Sequence, residues 1–274
     1  MMVDLVLLRA LIDASPTIVA RSGGGAPEGW IRAAEGAVGP FAPSYRWWLA
    51  EYNDGELDGA PLARLGPPGE RDAGDLPAGW RLDGDRFCFH VEPDGGDSYH
   101  FALDRPTRSG AGTEYPVIRC DRCSGAQESV ADSFAGFLTG RVARAAGLGD
   151  GPTPELARLW RSTPGVLLPD GVLVYGPLDI LERNETYEVA EYQPQWVLIG
   201  DDSGGQGLFM RRASPSGSRP EDGTGTGSRP GDGDRTSVYR LDLGAGDSDI
   251  DRPGVGEWVT DDLLGWLAAG ADRG

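Results

Sequence analysis

The sequence predicts an α+β protein of two domains, and three observations carry that expectation. Amphipathic helical stripes and short strand pairs share the chain, acidic Gly-Gly turns follow aromatic-aliphatic strands, and the two halves match in the order of these features. A length of 274 residues suits two units better than one. The expected domains are 1–148 and 149–274. A hydrophobic content of 39%, with eight Trp and eight Tyr, supplies two packed interiors, while 43 Gly and 21 Pro call for many irregular connections.

The first half opens with an amphipathic helix over about residues 3–14, where Leu5, Leu8 and Ile12 fall at helical spacing. A short helix over about 28–36 follows. A third begins after Pro43, because Tyr45, Trp48, Leu49 and Tyr52 form an i, i+3, i+4, i+7 stripe that Asn53 and Gly55 end. Arg86–Val91 and Ser98–Leu103 read as strands joined by the turn Pro93-Asp94-Gly95-Gly96-Asp97, whose glycines suit a tight reversal. A strand near Tyr115–Arg119 precedes a helix expected over Ser129–Ala146.

After a Gly/Pro linker at 149–154, Leu156, Leu159 and Trp160 mark a short helix, and Val166–Tyr175 reads as strand, turn, strand. Tyr187–Ala190 and Trp196–Ile199 look like strands, and Asp201-Asp202-Ser203-Gly204-Gly205 is the turn into Gly207–Met210. Between about 213 and 236 two near copies of one heptapeptide, GSRPEDG and GSRPGDG, have no apolar anchor; this Gly/Ser/Pro/Arg-rich stretch reads as a disordered insertion. A strand over Ser237–Leu243 and a helix over Glu257–Ala269 complete the chain.

The halves repeat. Val130–Leu138 matches Val259–Leu267 in pattern, and Gly95-Gly96 matches Gly204-Gly205.

Charge narrows the partner. The chain carries 43 acidic against 25 basic residues, a net charge of -18, and every cation is Arg. Such a surface repels a phosphate backbone and offers no basic stripe, so a nucleic-acid partner is not expected. Ordinary solubility and attraction of a cationic protein both account for the acidity. Arg in place of Lys, with much Ala, Gly, Pro and Asp, fits a GC-rich bacterial genome. No apolar run approaches the roughly 20 residues that span a bilayer, and the start lacks a signal-peptide pattern. Three cysteines agree with a reducing compartment. The expected location is cytoplasmic, without membrane contact.

Certain stretches carry a resemblance. In the first half these are Ile31–Glu35, Phe41-Ala42-Pro43-Ser44-Tyr45 leading to Trp48–Gly55, the Gly-Gly hairpin and the closing Ser133-Phe134 helix. In the second they are Gly171–Tyr175, Ile180–Val189 and Ile199–Gly205. Both halves look like the SUKH superfamily, which includes cell-wall-assembly regulators of fungi and many bacterial immunity proteins. The chain departs from it where Val91-Glu92-Pro93 replaces the family's Gly-Asp, and where the second half lacks a full pair of entry helices. The resemblance implies two SUKH-like domains, each a curved, mainly antiparallel sheet flanked by helices. It further implies a non-enzymatic protein, without cofactor, that neutralises a toxin such as a nuclease or deaminase by direct binding. The alternative is a regulatory scaffold with no toxin partner.

The candidate partner-binding residues are Trp47, Asp54, Glu56, Glu182, Asn184, Asp201 and Asp202. Trp47 falls outside the Tyr45/Trp48 stripe, so it either packs on the first helix or waits for a partner. Glu182 and Asn184 read as a helix end and cap or as a partner contact. Asp201 and Asp202 suit a turn, since Asp bonds nearby backbone N–H groups. No catalytic residue or metal site is assigned. Cys120 and Cys123 have ligand-like spacing that His90 or His100 could complete around zinc, but a lone C-x-x-C is weak evidence, and Cys88 is ordinary in a strand.

Overall fold

Tyr45, Trp48 and Leu49 are fully buried, and the aromatic core of the first half assembles around them. A computed structural model of the chain describes residues 3–21, 23–67, 81–109, 112–212, 236–244, 249–252 and 254–270. The insertion expected over about 213–236 lies, from 213 to 235, outside the described residues. The chain is α+β, with antiparallel sheets and flanking helices, and divides into two units. The first comprises Met1–Gly147 and Trp160–Pro164, the second Leu148–Leu159 and Gly165–Gly274.

In the first unit, Asp4 caps α1 (Leu5–Ala14) by accepting from the N–H groups of Val6 and Leu7. Then come β1 (Ile18–Ala20), α2 (Glu28–Val38) and α3 (Pro43–Glu51). Pro43 opens α3, where a missing N–H costs nothing, and Asn53, at φ 58°, turns the chain out of it. The chain enters β2 (Gly55–Leu57) and β3 (Ala60–Pro61), which form a sheet of order β1-β2-β3. The remaining strands are β4 (Arg81–Asp83), β5 (Arg86–Val91), β6 (Ser98–Ala102), β7 (Thr107–Ser109), β8 (Gly112–Glu114), β9 (Val117–Cys120) and β10 (Gln127–Ala131), followed by α4 (Phe134–Ala145). The main sheet has the order β10-β9-β6-β5-β4, and β7 pairs with β8.

The first core lies between this sheet and α3 and α4. Phe89 stacks on Phe101 at 4.3 Å between centroids, and Tyr45 meets Phe134 edge-on at 5.1 Å. Such pairs add about 0.5–1.5 kcal/mol beyond their burial. Ser44 donates from its N–H and its hydroxyl to buried Glu114, each at 2.9 Å, so one carboxylate serves the start of α3. On the rim, Arg141 of α4 bonds Glu92 at 2.8 Å, the Tyr99 hydroxyl at 2.9 Å and Asp58 in the β2–β3 turn.

The second unit contains α5 (Pro154–Trp160, its last residue in the first unit), β11 (Val166–Leu167), β12 (Leu173–Val174), α6 (Pro177–Thr186) and α7 (Val189–Tyr192). These lead to β13 (Trp196–Asp201), β14 (Gln206–Arg211), β15 (Val238–Asp242), β16 (Glu257–Thr260) and α8 (Leu263–Ala268). The sheet order is β11-β12-β13-β14-β15-β16.

The element orders of the two units differ, but their main sheets share register features. The β5–β6 pairing slips at Phe89 and the β13–β14 pairing at Ile199; those same residues accept, through their carbonyls, from Ala63 and Tyr175. A second slip falls at Val130 in β10 and at Val259 in β16. Across the last strand pair, Arg119 bonds Glu128 at 3.2 Å and Arg240 bonds Glu257 at 3.3 Å. The closing helices are capped alike, Ser133 accepting from Gly136 N–H and Asp262 from Gly265 N–H. Bulges recur at fixed places because they re-aim a strand, so a shared pair of bulges is specific.

Four local expectations change. The helices expected over Ser129–Ala146 and Glu257–Ala269 each begin as an edge strand, β10 and β16; only from Ser133 and Asp262 onward does a cap start a helix. Tyr187–Ala190 is not a strand, because Glu188, at φ 48°, turns the chain into α7. Glu182 and Asn184 lie within α6, which runs on to Thr186, and are neither its end nor its cap. Among the described residues no helix is long and apolar enough to cross a membrane.

Candidate functional site

The side chains expected to meet a partner fall in separate places. Trp47 is half-buried: its ring meets Tyr52 edge-on at 5.7 Å, and the Arg9 guanidinium of α1 lies 5.7 Å from a ring centre. Trp47 thus lies beside Arg9 of the first helix with part of its ring open to solvent. Asp54 pairs with Arg64 at 3.2 Å and, more loosely, with Arg21, which also holds Glu56. Asp201 accepts from the Tyr175 hydroxyl at 2.5 Å and from Ser203 N–H at 2.8 Å; Asp202 accepts from Gly204 and Gln206 N–H groups. Both acids therefore build the β13–β14 turn. Asn184 donates to the carbonyls of Ile180 and Leu198, each at 2.7 Å, and accepts from Leu198 N–H at 3.0 Å, which commits both its N–H protons and one lone pair of its oxygen to the fold. Glu182 stands exposed on α6.

Cys88 lies across the strands from His100 and Cys120 across from Ser98, yet these side chains serve the sheet. His90 is buried and its Nδ1 meets the Pro61 carbonyl at 3.2 Å; burial pushes its pKa down. His100 Nε2 meets the Ser98 hydroxyl at 2.9 Å, and Cys88 is buried. Among the described residues no group of three or more His, Cys, Asp and Glu is placed to hold a metal ion.

A concave feature lies in the second unit, between the α6–α7 corner and the outer face of β14 and β15. It is a groove of about 200 Å³ lined by Tyr187, Val189, Tyr192, Gln193, Phe209 and Leu241, with Asp242 and Leu243 at one end. The corner has a local cause. Tyr187 N–H closes the last turn of α6 on Arg183, and left-handed Glu188 then starts the single turn of α7, so the two tyrosines flank that turn. Buried Gln193 fastens the corner by accepting from Ile250 N–H.

The floor depends on an absent side chain. A Cβ at Gly207 would come within 2.7 Å of Leu198 and Leu243 and 2.8 Å of Phe209, so a side chain there would push these three apart. Tyr187 and Tyr192 remain 36% and 47% exposed at the mouth, unusual for rings beside an apolar floor. Glu185, Glu188 and Glu191, next to them in sequence, and Asp242 of the groove lining are all exposed.

Comparison with protein-family models gives no match, and comparison with curated proteins gives no relative.

Sequence reasoning passed over both tyrosines, because alternating Tyr187 and Val189 imitate a strand's period of two. The available signal was the composition of 185–192, in which each tyrosine stands beside a glutamate with no apolar run to bury it. Of the expected residues, Glu182 alone lies near this corner in sequence and faces solvent.

Proposed function

We propose that this chain is an immunity-type binding protein that neutralises a cationic toxin domain by covering it. The observation that carries the reading is the groove of the second unit, lined by two half-exposed tyrosines and Asp242 and formed in part by a segment with three exposed glutamates. Tyr is among the residues that contribute most at protein interfaces, since its ring gives large contact area at small entropic cost and its hydroxyl stays satisfied at a wet rim. The acids add long-range attraction, which raises the encounter rate with a basic surface and penalises acidic competitors. The net charge of -18 extends that field over the molecule.

The SUKH resemblance supports a toxin as the masked protein, and a nuclease or deaminase fits the charge, because a nucleic-acid-binding surface must be cationic. An immunity protein works by occlusion, so no group on it need perform chemistry. Bacteria expressing the toxin encoded beside this gene should survive when this chain is co-expressed and die without it. Death in both cases overturns the proposal.

A further inference from the structure

The geometry points to the occupant of the groove: one apolar side chain of the partner, flanked there by Arg or Lys. This rests on the protein-binding reading above and adds the chemistry of what is bound. Size comes first. Small-molecule sites usually enclose about 300–1,000 Å³, so 200 Å³ is small for a metabolite and suits a single large side chain. The wall is apolar where the anchor would sit, with Val189, Phe209 and Leu241 all buried. The lining also holds the two tyrosines and Asp242, and Glu185, Glu188 and Glu191 stand exposed on the same α6–α7 segment as the tyrosines. An apolar floor with Asp242 in its lining, and with exposed Glu185, Glu188 and Glu191 beside the two tyrosines in sequence, suits an anchor with cations on either side better than an uncharged one.

The matching register of the first unit shows that this seat is built into one copy of the fold. Leu208 opposite Arg240 corresponds to Tyr99 opposite Arg119. Gly207 opposite Leu241 therefore corresponds to Ser98 opposite Cys120, and Phe209 to His100. Where the second unit has Gly and Phe, the first has Ser and His, bonded to each other at 2.9 Å. That pair gives no apolar floor. The second unit is thus the one that reads the anchor.

The test uses the full chain and two peptides, Gly-Ser-Arg-Arg-Leu-Arg-Arg-Ser-Gly and the same peptide with Ser for Leu, titrated by amide chemical-shift changes. The Leu peptide should bind at least about tenfold more tightly, a difference expected for one buried side chain, with shifts confined to the groove residues. Tyr192→Ser, an exposed change that leaves the fold intact, should remove the preference; Gly207→Ala should do the same by driving Phe209 and Leu243 into the groove. Equal binding of the two peptides, or a preference that survives Tyr192→Ser, overturns the proposal. So does self-association of the chain that Tyr192→Ser abolishes, which would give the groove to a second copy. Protection of cells from the toxin that persists in both variants would remove the groove and leave the immunity reading standing. Peptide preference without protection would do the reverse.

Discussion

Asn184 and Leu198 exchange two hydrogen bonds, the amide of one reading the backbone N–H and C=O of the other. Asn184 thus completes β13 where the chain is about to bulge at Ile199, and it locks α6 to the sheet beneath the groove. Asn184→Ala leaves two strand groups without partners, which costs about 1–3 kcal/mol. Urea unfolding should show the midpoint falling with little change in slope; an unchanged midpoint would show the tie to be dispensable.

Buried Glu114 makes stability depend on pH. Burial pushes its carboxyl pKa above the ordinary value of 4.5, although hydrogen bonds from Ser44 and from Phe134 N–H pull the other way. A carboxyl raised on folding favours the native state while protonated in both states, and that contribution is lost as pH rises from 4.5 through the raised value. Glu114→Gln should flatten this part of a stability-versus-pH curve measured by thermal melting.

Glu92 works with the opposite sign. Burial pushes its pKa up, but hydrogen bonds from Arg141 and Tyr99 outweigh this and hold it below 4.5. Its contribution is present above pH 4.5 and is lost as pH falls through the lowered value. Arg141→Met should therefore remove stability on the neutral side by about 1–2 kcal/mol, less than for a buried ion pair because the partners are partly exposed. Arg141→Lys should recover only part, since an ammonium cannot fork between Asp58 and Glu92.

Asp201→Ala and Asp202→Ala test whether the turn acids serve the fold or the partner. Each removes a carboxylate that caps backbone N–H groups, with an expected loss of about 0.5–2 kcal/mol in unfolding free energy. Partner affinity, measured by calorimetry at a temperature where both variants are folded, should stay within about twofold.

Neutralising the rim by Glu188→Gln, Glu191→Gln and Asp242→Asn together should slow association with the cationic partner by about tenfold or more at low salt, and this difference should shrink as salt rises. Stopped-flow mixing at several ionic strengths measures it. Dissociation should change little, because these carboxylates are exposed.

Local pattern carried the fold class. The Tyr45, Trp48, Leu49, Tyr52 stripe is buried as its spacing implies, since helical period depends only on neighbours in sequence. The two long hairpins were legible for the same reason, apolar runs separated by Gly-containing turns. The edge strands β10 and β16 were not. Ser129-Val130-Ala131 and Trp258-Val259-Thr260 adjoin strong helices, and only pairing with β9 and β15 makes them extended.

The amino-acid sequence by itself determined that this protein is acidic, α+β and periodic in the places where helices and hairpins form, because charge and short-range periodicity are properties of the chain. What tertiary structure alone decided is where recognition can occur. Asn184, Asp201 and Asp202 look available in the sequence and are committed to backbone groups in the fold. Tyr187 reads as a strand residue and Tyr192 falls in no predicted element, yet both line a groove whose floor comes from Phe209 and Leu241, on strands remote in sequence. Burial of a ring and satisfaction of an amide depend on which distant atoms come within about 4 Å, and that only folding arranges.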